Sequence, residues 1–143
     1  MFDREQYELD QMEYLKANAD IYIYYNPHPN QKLVGDCVKR SLVKATGKDY
    51  MELQRELNAL KKITKAKKFN GNKNWLYYVE KILKGIKLPE YRNMKIGDFA
   101  KLDKSGTYII SCRKHLVCVQ DGKLYDTWNS SFKAIGRVWL IEN

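Results

Sequence analysis

Cys37 and His115 are the two residues whose types could supply a nucleophile and its base. Cys37 opens a segment in which Val38 and Leu42 recur at helical spacing, so we expect it at the N-terminus of a helix. Backbone N–H groups there carry partial positive charge and favour thiolate over thiol. The neighbouring Asp36 opposes this unless its carboxylate caps the helix. A buried core cysteine, the commoner case, fits the same position.

The histidine begins a predicted β-hairpin. Residues His115–Gln120 and Lys123–Trp128 have the composition of strands, and Asp121-Gly122 between them is a strong two-residue turn signal. Side chains alternate along a strand, and a two-residue turn fixes which residues face each other. This register places Asp126 on the same face as His115, one step along the diagonal.

An aspartate beside His115 would fix the tautomer of the ring and stabilise its protonated form. The same register puts Trp128 directly across from His115, where it could keep water from the reacting pair. Asn129 falls on the opposite face, and a bulge in the turn would exchange it for Asp126. The alternative interpretation of this segment is an ordinary half-exposed hairpin that contains one histidine and one aspartate by chance.

Taken together, these motifs resemble those of the papain-like cysteine peptidases. That family has a glutamine six residues before a cysteine that opens the central helix, as Gln31 stands before Cys37. Its histidine begins a later strand, as His115 does. The segment 126–129, Asp-Thr-Trp-Asn, is similar to the family's Asn-Ser-Trp-Gly motif, and 136–141 resembles the strand that closes the sheet. Small bacterial and phage relatives commonly have Asp in place of that Asn.

The resemblance implies an activity and a role for each of these residues. Cys37 would be the nucleophile, His115 its base and Asp126 the residue that orients the histidine. Gln31 and the backbone N–H of Cys37 would form the oxyanion hole. The expected reaction is hydrolysis of a peptide, isopeptide or related amide bond, with a protein or peptide as substrate. A catalytically inactive papain-like domain that binds or inhibits a protein is the alternative.

Periodicity predicts helices first and an antiparallel sheet last, which is the α+β class. With the resemblance, we expect a papain-like architecture in which the nucleophile helix packs on the C-terminal sheet. We expect residues 1–30 to add an acidic helix and an edge strand to a papain-like domain at 31–143, although Ile21–Tyr25 could instead occupy a substrate groove. The predicted elements are a helix within 2–16, a strand at 21–25, helices from Cys37, from Asp49 and over Trp75–Ile86, and strands at 108–112, 115–120, 123–128 and 136–141.

Charge is unevenly distributed over the 143 residues. The net charge is +9, with 26 Lys and Arg against 17 Asp and Glu, while residues 1–20 carry six acids and two bases, a net of −4. The remainder is therefore at +13, which would attract acidic partners, although solubility in a lysine-rich proteome explains the same charge. Five lysines within Lys61–Lys68 favour an acidic protein surface as a possible partner. Nucleic acid is the less favoured partner because nothing beyond these lysines and some tyrosines indicates it.

Cysteine and histidine counts limit the other classes of site. The three cysteines, Cys37, Cys112 and Cys118, include no CxxC pair and do not form a disulfide framework. With two histidines in the chain, we expect no metal site and no cofactor. The longest apolar runs are five residues, so no membrane span is expected, and the first residues do not have the pattern of a secretory signal. We therefore expect a cytoplasmic protein with reduced thiols.

Overall fold

The computed structural model describes residues 1–102 and 104–142, and these form a mixed α+β fold. The α+β class predicted from periodicity is confirmed. Helices pack against a sheet of six strands, and the helix that begins at Cys37 lies across its central part. The α-helices of the described residues are α1 (Arg4–Ala17), α2 (Cys37–Thr46), α3 (Tyr50–Thr64), α4 (Asn72–Tyr77) and α5 (Ile96–Ala100).

The strands follow the order β1-β5-β4-β3-β6-β2 across the sheet. Among the described strands, the β1–β5 pair is parallel and the other neighbouring pairs are antiparallel. The strand predicted at Ile21–Tyr25 therefore lies at the sheet edge and not in a groove. The strands are β1 (Tyr22–Tyr24), β2 (Ile86–Lys87), β3 (Thr107–Cys112), β4 (His115–Gln120), β5 (Lys123–Asp126) and β6 (Arg137–Ile141).

Both faces of the sheet are covered by packed side chains. Successive side chains of β3 point to opposite faces and so enter two different core layers. Ile109 packs with Leu42 of α2 on one face, whereas its neighbour Ile110 packs with Phe99 of α5 on the other. All four side chains are at most 1% exposed. Burial of a side chain of this size contributes about 1.5 to 3 kcal/mol. The first of these layers holds α2, and with it Cys37, against the sheet.

The ends of α2 and α3 follow the sequence signals with one exception. Gly47 ends α2 in the left-handed conformation (φ 72°), and the Asp49 side chain caps α3 by accepting from the N–H groups of Met51 and Glu52. Asp36 occupies the N-cap position of α2, but its side chain makes no capping hydrogen bond. The Asp36 carboxylate is instead bound by the buried side chains of Arg40 and Tyr50.

The predicted hairpin is present in the predicted register. Gln120 pairs with Lys123 and Cys118 with Tyr125, across a turn in which Asp121 (φ 49°) and Gly122 (φ 77°) both have positive φ. Two such residues make the turn whose twist matches that of the flanking strands. The second strand is shorter than predicted, since β5 ends at Asp126.

The helix predicted over Trp75–Ile86 is wrong at its C-terminal end, after Ile82. After α4 the chain forms a π-helical turn at Tyr78–Ile82, and Ile86 then pairs with β6 as part of β2. Gly85 permits this close approach, since a Cβ there would lie 3.0 Å from the Cβ of Trp139. Edge pairing therefore overrides the apolar helical period.

At the N-terminus, α1 forms where it was predicted but does not pack as an amphipathic helix. It contains no buried residue, and Tyr14 connects it to α5 by donating to the Asp98 carboxylate at 2.9 Å. Within the described parts of the chain, no helix combines the length and the apolar character needed to cross a membrane.

Candidate active site

Cys37 is the first residue of α2, as its sequence context predicts. The first hydrogen bond of the helix runs from the Arg40 N–H to the Asp36 carbonyl, so the Cys37 N–H has no acceptor within the helix. The side chain is partly buried and packs beside the first core layer. The thiol therefore lies at the positive end of a helix that is fixed on the sheet.

His115, the first residue of β4, lies between the thiol and a carboxylate. Its Nε2 is 2.7 Å from Oδ2 of Asp126, and the ring lies close enough to the Cys37 side chain to lower the pKa of that thiol. Because Nε2 is taken by Asp126, Nδ1 is the nitrogen left for the thiol. The side chain of His115 is only 9% exposed, so the three groups interact largely out of water.

The Trp128 ring covers His115, although β5 ends at Asp126 and the strand pairing does not extend to these two residues. The two ring centroids are 5.1 Å apart and the rings are tilted by 37°. Trp128 itself is 42% exposed, so it forms an outer layer between His115 and solvent. Asn129 does not reach the histidine, because its side-chain oxygen accepts from the Ser131 N–H.

Asp126 is fully buried and accepts hydrogen bonds at both carboxylate oxygens. Oδ1 accepts from Arg40 at 2.9 Å and from the Thr127 N–H at 2.7 Å. Oδ2 accepts from the Ser130 hydroxyl at 2.7 Å and meets Nε2 of His115. A buried carboxylate with this set of donors stays ionised and fixed in orientation.

Arg40 joins this site to the start of α2. Its guanidinium is 5% exposed and bridges Asp36 at 2.6 Å and Asp126 at 2.9 Å. Tyr50 donates to the second oxygen of Asp36 at 2.7 Å. One arginine between two carboxylates leaves a net charge of −1 next to His115, which favours the imidazolium form. The Asp36 charge is thus bound by Arg40 and Tyr50 rather than left free to oppose the thiolate.

These contacts shift three pKa values in a consistent sense. Burial alone would raise the pKa of the Cys37 thiol, but hydrogen bonds from the His115 ring and the Leu116 N–H, with the charges of His115 and Arg40, lower it below its usual value. Burial lowers the pKa of His115, whereas its bonds to Asp126 and Cys37 raise it to about 9. Burial likewise opposes ionisation of Asp126, yet its bond to His115 brings that pKa below its usual value. These directions favour a thiolate and an imidazolium over a neutral thiol and imidazole.

A cavity of about 330 Å³ opens beside this pair, at the small end of the roughly 300 to 1,000 Å³ typical of ligand sites. Cys37 and His115 line it, while Asp126 and Trp128 contact the histidine without lining the cavity. A carbonyl group in this cavity would meet the sulfur and the ring together. The lining residues are Cys37, Val38, Asn70, Asn72, Trp75, Ser111, Cys112, Lys114, His115, Leu116 and Arg137.

Gln31 is not brought into this cluster. It lies exposed on the loop before α2 with φ 57°, and its side-chain amide donates to the His28 carbonyl at 3.2 Å. It does not line the cavity. Of the expected oxyanion donors, the structure therefore places only the Cys37 N–H at the thiol.

Sequence reasoning missed Arg40 and Ser130. The i,i+4 spacing of Asp36 and Arg40 was a readable signal for an ion pair on α2, whereas nothing in the sequence connects Arg40 to Asp126, 86 residues later. Within residues 1–102 and 104–142, no group of three or more His, Cys, Asp or Glu side chains is placed to hold a metal ion.

Comparison of the chain with protein-family models, with curated proteins and with solved structures gives no significant match. Its function is therefore argued from its own residues. The contacts among Cys37, His115 and Asp126 are the strongest basis for that argument.

Proposed function

We propose that this protein is a cysteine-dependent hydrolase of the papain-like type, which cleaves a peptide, isopeptide or related amide bond. The observation that carries the proposal is the position of His115, which is hydrogen-bonded to Asp126 through Nε2 and is close enough to Cys37 for each group to shift the pKa of the other. Both reacting groups line one cavity. Thiolate–imidazolium pairs with an orienting carboxylate activate cysteine for attack on carbonyl groups.

In the first half of the reaction, the Cys37 thiolate forms a bond to the substrate carbonyl carbon, and the carbonyl oxygen becomes an oxyanion. The imidazolium of His115 then gives its Nδ1 proton to the leaving nitrogen as the carbon–nitrogen bond breaks. An amine leaves, and the acyl group remains as a thioester on Cys37. In the second half, neutral His115 takes a proton from water, whose oxygen attacks the thioester. Release of the acid restores the thiolate and the imidazolium.

Asp126 and Arg40 act through the histidine and do not touch the substrate. The carboxylate keeps Nδ1 directed at the sulfur and stabilises the imidazolium, while Arg40 holds the carboxylate in place. The oxyanion would be stabilised by the Cys37 N–H at the helix N-terminus. Gln31 would join it only by giving up its bond to His28, so we assign it no role in the resting site. Trp128 would shield the histidine from water.

The test is the rate of Cys37 alkylation by iodoacetamide between pH 4 and pH 9, in the wild type and in His115→Ala. We expect rapid reaction well below the usual thiol pKa of about 8.5, lost in the variant. Peptide mass mapping provides two internal controls, because burial raises the pKa of Cys112 to about 11 and that of Cys118 to about 12. Slow labelling of Cys37 that is unchanged in the variant would refute the proposal.

A second candidate is an inactive domain that binds an acidic protein surface. It is favoured by a groove of about 410 Å³ whose lining includes Lys65, Lys67, Lys68 and Lys73. The alkylation experiment separates the two, since an inactive domain has no need of an ionised Cys37. The hydrolase requires a reduced thiol, and we therefore place it in the cytoplasm with a peptide or protein as its substrate.

A further inference from the structure

The cavity beside Cys37 is lined by cations on its outer side. Lys114 and Arg137 both border it and both are exposed. No acidic side chain is among its lining residues in the described part of the chain. The other polar side chains there, such as Asn70 and Asn72, are neutral. A negatively charged group would therefore be attracted to the place where the thiol reacts.

Neither cation is neutralised, and aromatic contacts orient the Arg137 side chain. The Arg137 guanidinium lies 5.8 Å from the ring centroid of Trp75 and 5.4 Å from that of Trp139, contacts that orient it without removing its charge. Lys114 belongs to the tight turn between β3 and β4, with φ 57°. Within residues 1–102 and 104–142, neither forms a salt bridge.

We propose that Lys114 and Arg137 bind a carboxylate of the substrate adjacent to the amide that Cys37 attacks. The inference rests on the hydrolase proposed above and gives it a substrate class, an acidic peptide. The planar guanidinium suits two-point recognition of a carboxylate, and the lysine adds a second charge. The carboxylate is either an Asp or Glu side chain or the C-terminus of the peptide.

The charge preference of the cavity can be measured at Cys37 without a known substrate. Iodoacetate and iodoacetamide deliver similar groups to the thiolate and lose iodide in the same way, but only iodoacetate carries a carboxylate. Both rates depend on the same ionised fraction of the Cys37 thiol, so the ratio of the iodoacetate rate to the iodoacetamide rate is independent of that fraction. We expect this ratio to fall by about two- to fivefold in Arg137→Gln and in Lys114→Gln, as for the loss of one exposed charge contact.

Arg55→Gln is the matched control, because Arg55 is an exposed arginine on α3 that does not line the cavity. Arg137→Lys keeps the charge and should keep most of the ratio. An unchanged ratio in both Gln variants would overturn the carboxylate site while leaving the thiolate chemistry intact. Slow alkylation that does not depend on His115 would instead refute the hydrolase, and the ratio would still report on the anion site.

Protection of Cys37 from iodoacetamide separates the two sources of the carboxylate. A short peptide amide containing glutamate should protect if a side chain is bound, and an alanine peptide with a free C-terminus should protect if the terminus is bound. The corresponding alanine peptide amide is the neutral control. Protection by either acidic peptide that is lost in Arg137→Gln supports the proposal, and equal protection by all three peptides contradicts it.

Discussion

Replacing Arg40 with methionine tests whether the buried charges around the site are as tightly coupled as their geometry implies. Arg40 lies 2.6 Å from Asp36 and 2.9 Å from Asp126, and these side chains are at most 5% exposed. Arg40→Met keeps much of the volume but leaves two carboxylates buried without their shared cation. Removing one partner of a buried ion pair costs about 3 to 5 kcal/mol, a large part of the roughly 5 to 15 kcal/mol that stabilises a domain.

The free energy of unfolding can be measured by urea titration followed by circular dichroism, with Lys48→Met as the control. Lys48 pairs with Glu56 at 2.7 Å, but both side chains are about one-third exposed, so the control should lose less than about 1 kcal/mol. For Arg40→Met we expect a loss of about 3 to 5 kcal/mol in the free energy of unfolding. A loss of this size corresponds to a fall of roughly 10 to 15 °C in the melting temperature. Equal, small losses in the two variants would refute the reasoning.

The pH dependence of the Arg40→Met defect gives an independent check. In the wild type the pKa of Asp126 is below its usual value, so its contribution to stability is present above the ordinary carboxyl pKa and is lost as the pH falls through the folded value. Without Arg40, burial pushes the pKa of Asp126 upward, and protonation relieves the buried charge. The stability difference between variant and wild type should therefore shrink from pH 7 to pH 4. A difference that grows on acidification would contradict this account.

Four further substitutions have expected outcomes. Asp126→Asn removes the main group that raises the pKa of His115 to about 9. The pH above which Cys37 alkylation declines, because His115 loses its proton, should therefore move to a lower value. An unchanged value would argue against the Cys37–His115 pair. Trp128→Ala exposes His115, and because burial lowers the pKa of that histidine, the pH above which Cys37 alkylation declines should rise. The melting temperature should change little, since the Trp128 ring is 42% exposed. Gly85→Ala places a Cβ 3.0 Å from that of the β6 tryptophan and should cost about 1 to 3 kcal/mol in urea unfolding, whereas Gly35→Ala, with nothing within 4 Å, should be neutral.

The part of the site that could be predicted from sequence is the part fixed by local geometry. A two-residue turn at Asp121-Gly122 determines the register of the hairpin, and register determines that Asp126 shares a face with His115. The start of α2 at Cys37 is similarly set by nearby residues. The distance between the thiol and the histidine was not available from the sequence, because it depends on how α2 packs across β4.

The elements that sequence reasoning missed are those decided by tertiary packing. In the sequence, Arg40 has the features of an ordinary helix residue. Its guanidinium contacts Asp126 only because α2 packs over the end of β5. Ile86 continues the apolar period of the preceding helix, but pairing with β6 draws it into a strand. Gln31 has the expected spacing from Cys37, yet spacing along a loop does not fix the direction of a side chain, and a residue with positive φ directs the chain away from the extended course.

The buried charges connect the stability of the fold to the reactivity of the thiol. Asp36 and Asp126 are far apart in the sequence, and Arg40 forms a salt bridge with each, so the start of α2 is fixed to the end of β5. The Arg40–Asp126 pair, which is neutral by itself, already joins α2 to β5. The second carboxylate leaves one excess negative charge, and that charge favours a protonated His115 beside Cys37. Replacing Asp36 by a neutral residue should therefore leave the Arg40–Asp126 pair in place and lower the pKa of His115. A network with a purely structural role gives no reason for that shift.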